Sequence, residues 1–395
     1  MTLDSLRTLV LEQVDRAAAT LLDVSHSIHS HPELGFDEHH AHEVLTSALE
    51  AAGLDTERAA FDVPTAFRAT AGTGEGPVIA VLLEYDALPG LGHACGHNVI
   101  ASAGLGAGLA AAAVAEATGG RLLILGTPAE EGGGGKVVLA ERGAFEGVQA
   151  AMMIHPADAD LLSMHCLAMQ PVVAHYEGLA AHAAAAPWQG RNALDAAVLG
   201  YMNVAALRQH IGTSDRVHGI FTMAGDKANI VPDRAESTWY VRSPTLASLA
   251  PLKERVQACL EAGASATGCR CHITWRDGPE AYFDMRDNLA MLGSFAEHAH
   301  SVGRPLQDPK AGYQVTGSTD MGNVSYLVPS IHPMLQVAPR GVPIHSRDFA
   351  RFAGGDEGDR AVIDGAKIMA LTVLDLWANA ALLEAATTEF QGVSR

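Results

Sequence analysis

Three short apolar runs, residues 77–83, 122–126 and 150–154, each stop at a polar turn that carries chemically active side chains. Runs of this length suit buried strands rather than core helices. Between the first two lies a stretch rich in Ala and Gly, residues 98–120, which reads as a helix able to pack closely on a sheet. Strands alternating with helices predict an α/β sheet covered on both faces. Ligands of such sheets bind at the carboxyl ends of the strands, so the residues just after each run matter most.

The rest of the chain fits a two-domain plan. Amphipathic helices are expected near residues 1–25 and 36–52. The middle, residues 171–282, reads strand, helix, strand, strand, helix, strand, which is the ferredoxin-like order. The last third returns to α/β character, with a strand over 330–337 and one or two helices over 356–386. The expected architecture is a central mixed sheet covered by helices, in a discontinuous domain of residues 1–171 and 285–395. An α+β domain, residues 172–284, is inserted into it.

Composition narrows the function classes. A net charge of -19 with no basic stripe argues against nucleic-acid binding. Five cysteines in 395 residues do not make a disulfide framework, and a reducing cytoplasm fits them best. The start has no basic region followed by an apolar core, so no signal peptide is read there. Glu116 interrupts the Ala/Gly stretch, and Leu and Ile are few; a buried helix is expected, not a membrane span.

The chemistry concentrates after the runs. Behind the first comes Glu84-Tyr85-Asp86, then His93-Ala94-Cys95-Gly96-His97-Asn98. Thiolate and imidazole are good ligands for zinc or a similar ion, and in an extended segment Cys95 and His97 would face one way. His93 has the same spacing from Cys95, and spacing does not choose between them. Behind the second run stand Glu130 and Glu131. Adjacent carboxylates in a dry site call for a cation; one can bind it while the other takes a proton from water. The glycines that follow do not make a phosphate loop, because Val137 follows Lys136 where a hydroxyl is needed. His155 ends the third run, and His345 lies far along the chain. The early histidines, from His26 to His42, read as structural or surface groups.

With these pieces stand His31-Pro32-Glu33-Leu34-Gly35, Asp86-Ala87-Leu88-Pro89, Gly178-Leu179-Ala180-Ala181-His182-Ala183 and Asn229-Ile230-Val231-Pro232-Asp233. In this order they resemble the M20 family of metallopeptidases and amidohydrolases over nearly the full length. The resemblance implies two divalent metal ions per protomer, zinc or manganese, held by Cys95, His97, Glu131, His155 and His345. It implies Glu130 as the base that activates water, and Asp86 as a residue that orients a ligand. It also implies His182 as an oxyanion donor reaching a neighbouring active site, with the inserted domain forming a homodimer. Asn98 and Ile100 stand where the best-known amidohydrolase subgroup has Asp and His. Together with Gly317-Ser318-Thr319-Asp320, they point to the branch holding p-aminobenzoyl-glutamate hydrolases and M20-domain dipeptidases.

The expected reaction is hydrolysis of an amide in a small N-acyl amino acid, an aryl-amide glutamate conjugate or a dipeptide. Asn229 and an arginine, with Arg234 first and Arg191 or Arg242 as others, are candidates to hold a substrate carboxylate. Two rival readings are a catalytically silent metal-binding homologue and a single-metal exopeptidase.

Overall fold

The computed structural model describes residues 1–309 and 316–392. The chain divides into two compact units: Met1–His165 with Met285–Arg395, and Cys166–Asp284.

The first unit begins with α1 (Leu3–Ser30) and α2 (His39–Ala51), followed by β1 (Asp55–Arg58), β2 (Phe67–Ala71) and β3 (Val78–Leu83). Next come α3 (His97–Thr118), β4 (Arg121–Gly126), α4 (Gly135–Glu141), β5 (Val148–Met152) and β6 (His155–Ala157). A two-residue strand, β7 (His165–Cys166), ends this part. Six strands form one sheet, in the order β1-β2-β4-β3-β5 and then a short late strand. β3 runs parallel to β4 and to β5, while β2 is antiparallel to β4, so the sheet is mixed.

The apolar runs are strands because both faces are covered. All but the first residues of β3 and β4 are buried. The Ala/Gly stretch is α3, whose small residues let it sit close to the sheet: a Cβ on Gly108 would meet Ile124 at 2.4 Å. By length and apolarity α3 is able to cross a membrane, but most of its surface is buried within the fold.

The inserted unit holds β8 (Ala168–Glu177), α5 (Ala193–Leu207), β9 (Arg216–Met223), β10 (Arg234–Ser243), α6 (Leu246–Thr267) and β11 (Arg270–Trp275). Its antiparallel sheet has the order β11-β8-β10-β9. This is the strand–helix–strand–strand–helix–strand order read from the sequence. Tyr176, Trp239, Val256 and Leu260 fill the core under the two helices. Asn192 caps α5, and a Thr245–Ser248 capping box starts α6.

The chain then returns to the first unit with α7 (Leu289–Ser301), β12 (Thr316–Gly317), α8 (Met321–Val324), β13 (Ser330–Ile331) and β14 (Met334–Gln336). Helices α9 (Arg347–Ala353), α10 (Asp356–Ala378) and α11 (Ala380–Gly392) close it. The single strand expected over 330–337 is two strands in different sheets. β13 pairs with β5 and β14 with β6, because His332 and Pro333 separate them. Proline supplies no N–H to a ladder, so the break falls there.

Candidate metal centre

Four neighbouring parallel strands, β4, β3, β5 and β13, end together. Glu84 and Asp86 follow β3, Glu130 and Glu131 follow β4, His155 follows β5, and His332 follows β13. The topology thus turns residues far apart in sequence into one cluster.

Cys95 and His97 do not lie on an extended segment, as their spacing suggested. Gly96 has φ +80°, and α3 begins at His97. Glycine is required twice over. The left-handed backbone disfavours a side chain, and a Cβ would meet the Pro156 ring at 2.8 Å.

Asp86 organises the centre. Its Oδ1 accepts from Nδ1–H of His97 at 3.0 Å, and its Oδ2 accepts from the Glu131 backbone N–H at 2.9 Å. Nε2 of His97 is then left without a hydrogen-bond partner among the described residues; Glu84 Oε2 lies 3.5 Å from it and Glu131 Oε1 3.9 Å. Burial works against charge on this imidazole, but Asp86 and then Cys95 outweigh it and hold its pKa well above the ordinary value. The surrounding acids demand positive charge at Nε2, and a proton or a metal ion meets that demand.

His155 is prepared as a neutral ligand. Its Nδ1–H donates to the Pro156 carbonyl at 2.7 Å, and burial lowers its pKa to about 4. The Nε2 lone pair therefore faces the Cys95 sulfur, 3.4 Å away. Burial, and then Glu131, push the Cys95 thiol well up, so without a cation it stays protonated. His345 enters from its own loop, half exposed, with its N–H on the Ala94 carbonyl at 2.9 Å and Nε2 3.4 Å from Glu131 Oε1. Its φ of 65° is a strained value for a residue with a side chain.

The potential ligand atoms fall into overlapping groups, each within 4.8 Å. One is Cys95, His97 and His155, and another is Cys95, Glu131 and His345. The two share the Cys95 sulfur, as a thiolate between two ions would require. A third group is His97, Glu130 and Glu131, and a fourth Glu84, Glu130 and Asp320. The buried atoms His97 Nε2, Glu84 Oε2 and Glu131 Oε1, without hydrogen-bond partners among the described residues, all lie in this cluster, so the donor set fits divalent transition ions. Burial, with Glu84, Glu131 and Asp320, raises the Glu130 carboxyl well above the usual range.

The remaining expected residues lie in the inserted unit. His182 is exposed, and its Nδ1 accepts from the N–H groups of Ala184 and Ala185 at 3.3 and 3.1 Å. Its hydrogen therefore sits on Nε2, as a donor. Asn229 adjoins it, its carbonyl accepting from Ala183 N–H at 3.0 Å. Arg234 is exposed at the start of β10. His93 is buried and belongs to none of the ligand groups among the described residues.

Several residues of the centre carry no clear signal in the sequence. Lys136 looks there only like the lysine of a failed phosphate loop, yet it is wholly buried and bonded to Glu84 and Asp320. His332, buried at the end of β13, packs edge-on against His155 with ring centroids 5.3 Å apart. The early motif 31–35 has a supporting role: the Glu33 carboxylate caps α2 through the His40 and Ala41 N–H groups, and its carbonyl accepts from Ala87.

A thiol, imidazole and carboxylate cluster at the strand ends of a mixed α/β sheet is the donor set of a metal-dependent hydrolase. The model of peptidase family M20/M25/M40 matches residues 81–375, and the chain belongs to that family. It is therefore an amidohydrolase or peptidase. The chain is similar to the Xaa-Arg dipeptidase of Mus musculus, 39% identical over 98% of this chain and 93% of that protein. It is also similar to a p-aminobenzoyl-glutamate hydrolase component of Escherichia coli K12, 30% identical over 97% and 94%. Among solved structures, a dinuclear metal-binding M20 peptidase of Bacillus subtilis shares the fold, with a TM-score of 0.72. It is 18% identical, and the match covers 92% of this chain and 99% of that one.

Proposed function

We propose that the chain hydrolyses the amide bond of a dipeptide or an aryl-amide glutamate conjugate at a centre of two divalent ions. Cys95, His97, Glu131, His155 and His345 hold the ions, and Glu130 is the base. The observation that carries this reading is the sharing of one sulfur, Cys95 Sγ, by two three-residue ligand groups. The names of the two relatives, a dipeptidase and a p-aminobenzoyl-glutamate hydrolase component, supply the substrate classes.

Bound divalent ions, zinc or manganese, lower the pKa of water and polarise a carbonyl. Glu130, as a carboxylate beside the ions, takes the proton from the attacking water. The same carboxyl then donates that proton to the leaving amine. His182, with hydrogen on Nε2, donates to the oxyanion. Asn229 and Arg234 receive the substrate carboxylate. Asp86 keeps His97 and Glu131 in place throughout.

The active form is a homodimer through the inserted unit, in a reducing cytoplasm. Edge strand β9 exposes Ile220, Phe221 and Met223, and α5 exposes Val198 and Met202. The opposite edge strand, β11, exposes Arg270, His272 and Thr274 instead, the usual guard against pairing.

A panel of dipeptides ending in Arg, aryl-amide glutamates and N-acyl amino acids, assayed after metal is removed and restored, tests the reading. Turnover of one of the first two classes, dependent on restored metal, is expected. Turnover that ignores metal would sink it.

A further inference from the structure

The acidic cluster contains a cation that the proposed reaction does not use. Lys136, in the first turn of α4, is completely buried. Its Nζ bonds Glu84 Oε1 and, at 2.8 Å, Asp320 Oδ1, while its backbone N–H donates to Asp320 Oδ2 at 2.9 Å. Glu84, Glu130 and Asp320 bring oxygens within 4.8 Å of one another. Three carboxylates this close in a dry site repel one another unless a positive charge lies among them. The ammonium supplies it. The contact also sets the rotation of Glu84. With Oε1 taken by Lys136, the buried Oε2 has no hydrogen-bond partner among the described residues and lies 3.5 Å from Nε2 of His97.

We propose that Lys136 is a positioning residue whose ammonium is a permanent cation of the centre. It clamps Glu84 and Asp320 so that Glu84 Oε2 faces the ion-binding nitrogen of His97, and it fixes the place of Glu130 beside them. Glu84 is then a further acidic group of the ion site, and the lysine orients it. This inference rests on the two-ion reading above. The rival role is mechanical: Lys136 fastens α4 to α8 through Asp320, and its charge is incidental to the chemistry.

Lys136→Met keeps the side-chain length, and adding Asp320→Asn removes a carboxylate that would otherwise be left unpaired in the core. If the charge positions the centre, the double variant recovers thermal stability relative to the single one. Its kcat stays down by about 100-fold or more with KM changed less than about threefold. Its metal affinity, read by chelator competition, falls about tenfold. If the role is mechanical, kcat and metal affinity return together with stability, and the proposal is overturned. Glu84→Gln decides the matter with Lys136 and Asp320 both left in place. It is expected to fold normally, to lose about tenfold in metal affinity and to lose turnover. Unchanged metal affinity and turnover in that variant would also overturn the proposal. The two-ion reading fails separately, through a wild-type protein that retains no metal or a Glu130→Gln variant with normal turnover.

Discussion

Asp86 Oδ1 accepts from His97 Nδ1 at 3.0 Å, while the other oxygen of the same carboxylate holds the Glu131 backbone at 2.9 Å. One buried residue therefore orients two of the five candidate ligands. Asp86→Asn keeps the shape but loses the charge that favours positive charge on His97. It should weaken metal affinity about 10–100-fold, measured by chelator competition, and lower turnover at limiting metal. Wild-type affinity in this variant would remove Asp86 from the centre.

Glu38 makes stability depend on pH. It is buried, its Oε1 accepts from the Ala129 N–H at 2.8 Å, and its carboxyl is raised from 4.5 to about 7 by burial and then by Asp86. A raised acid favours the protonated form in the fold. Its contribution is therefore full below pH 4.5 and is lost as pH rises through about 7. Glu38→Gln retains a carbonyl for Ala129 and cannot ionise. It should match the wild type in acid and exceed it above neutrality, by up to about 3 kcal/mol. Urea unfolding across that range checks this; a stability difference that does not vary with pH would contradict it.

Asn98, read in the sequence as a pointer to one branch of the family, faces the protein interior. Its Nδ2 donates to Ser25 Oγ at 2.9 Å and to the Ala353 carbonyl at 3.0 Å. Asp at this position has no hydrogen to offer the carbonyl and buries a charge. Asn98→Asp should cost about 2–4 kcal/mol of stability while leaving substrate preference unchanged in whatever folds. A switched preference at unchanged stability would show that Asn98 selects substrate.

The dimer and His182 are tested together. His182→Ala should lower kcat by about 10²–10³ with bound metal unchanged. Ile220→Asp on the β9 edge should yield monomers by ultracentrifugation. If His182 serves a neighbouring protomer, kcat falls in step with dissociation. A fully active monomer would show that it acts within its own chain or not at all.

Much of this was legible in sequence because it is local. The runs ending at Leu83, Gly126 and Met152 have the length and apolarity of buried strands, and the inserted unit follows its expected element order. Cys95, His97, Glu130, Glu131 and His155 lie close in sequence to those strand ends, so the sheet rule marked their segments and the structure gathers them, while the choice of His97 over His93 came from the family resemblance. The rest depends on pairing across the chain. Lys136 contacts Asp320, 184 positions away, and no local pattern reports such a bond. His332 is hidden because 330–337 looks like one strand, and only the pairing of β13 with β5 puts it beside His155. The helix start at His97 reads as extended, because a left-handed glycine cannot be told from an extended one by spacing.

The most direct measurement is turnover and metal content in Glu130→Gln. The variant removes the proton acceptor and leaves the five candidate ligands. The account predicts two ions per chain by elemental analysis, as in the wild type, with kcat lower by about 10³-fold or more. Near-normal turnover with metal bound would contradict the assignment of Glu130 as the base and the mechanism built on it.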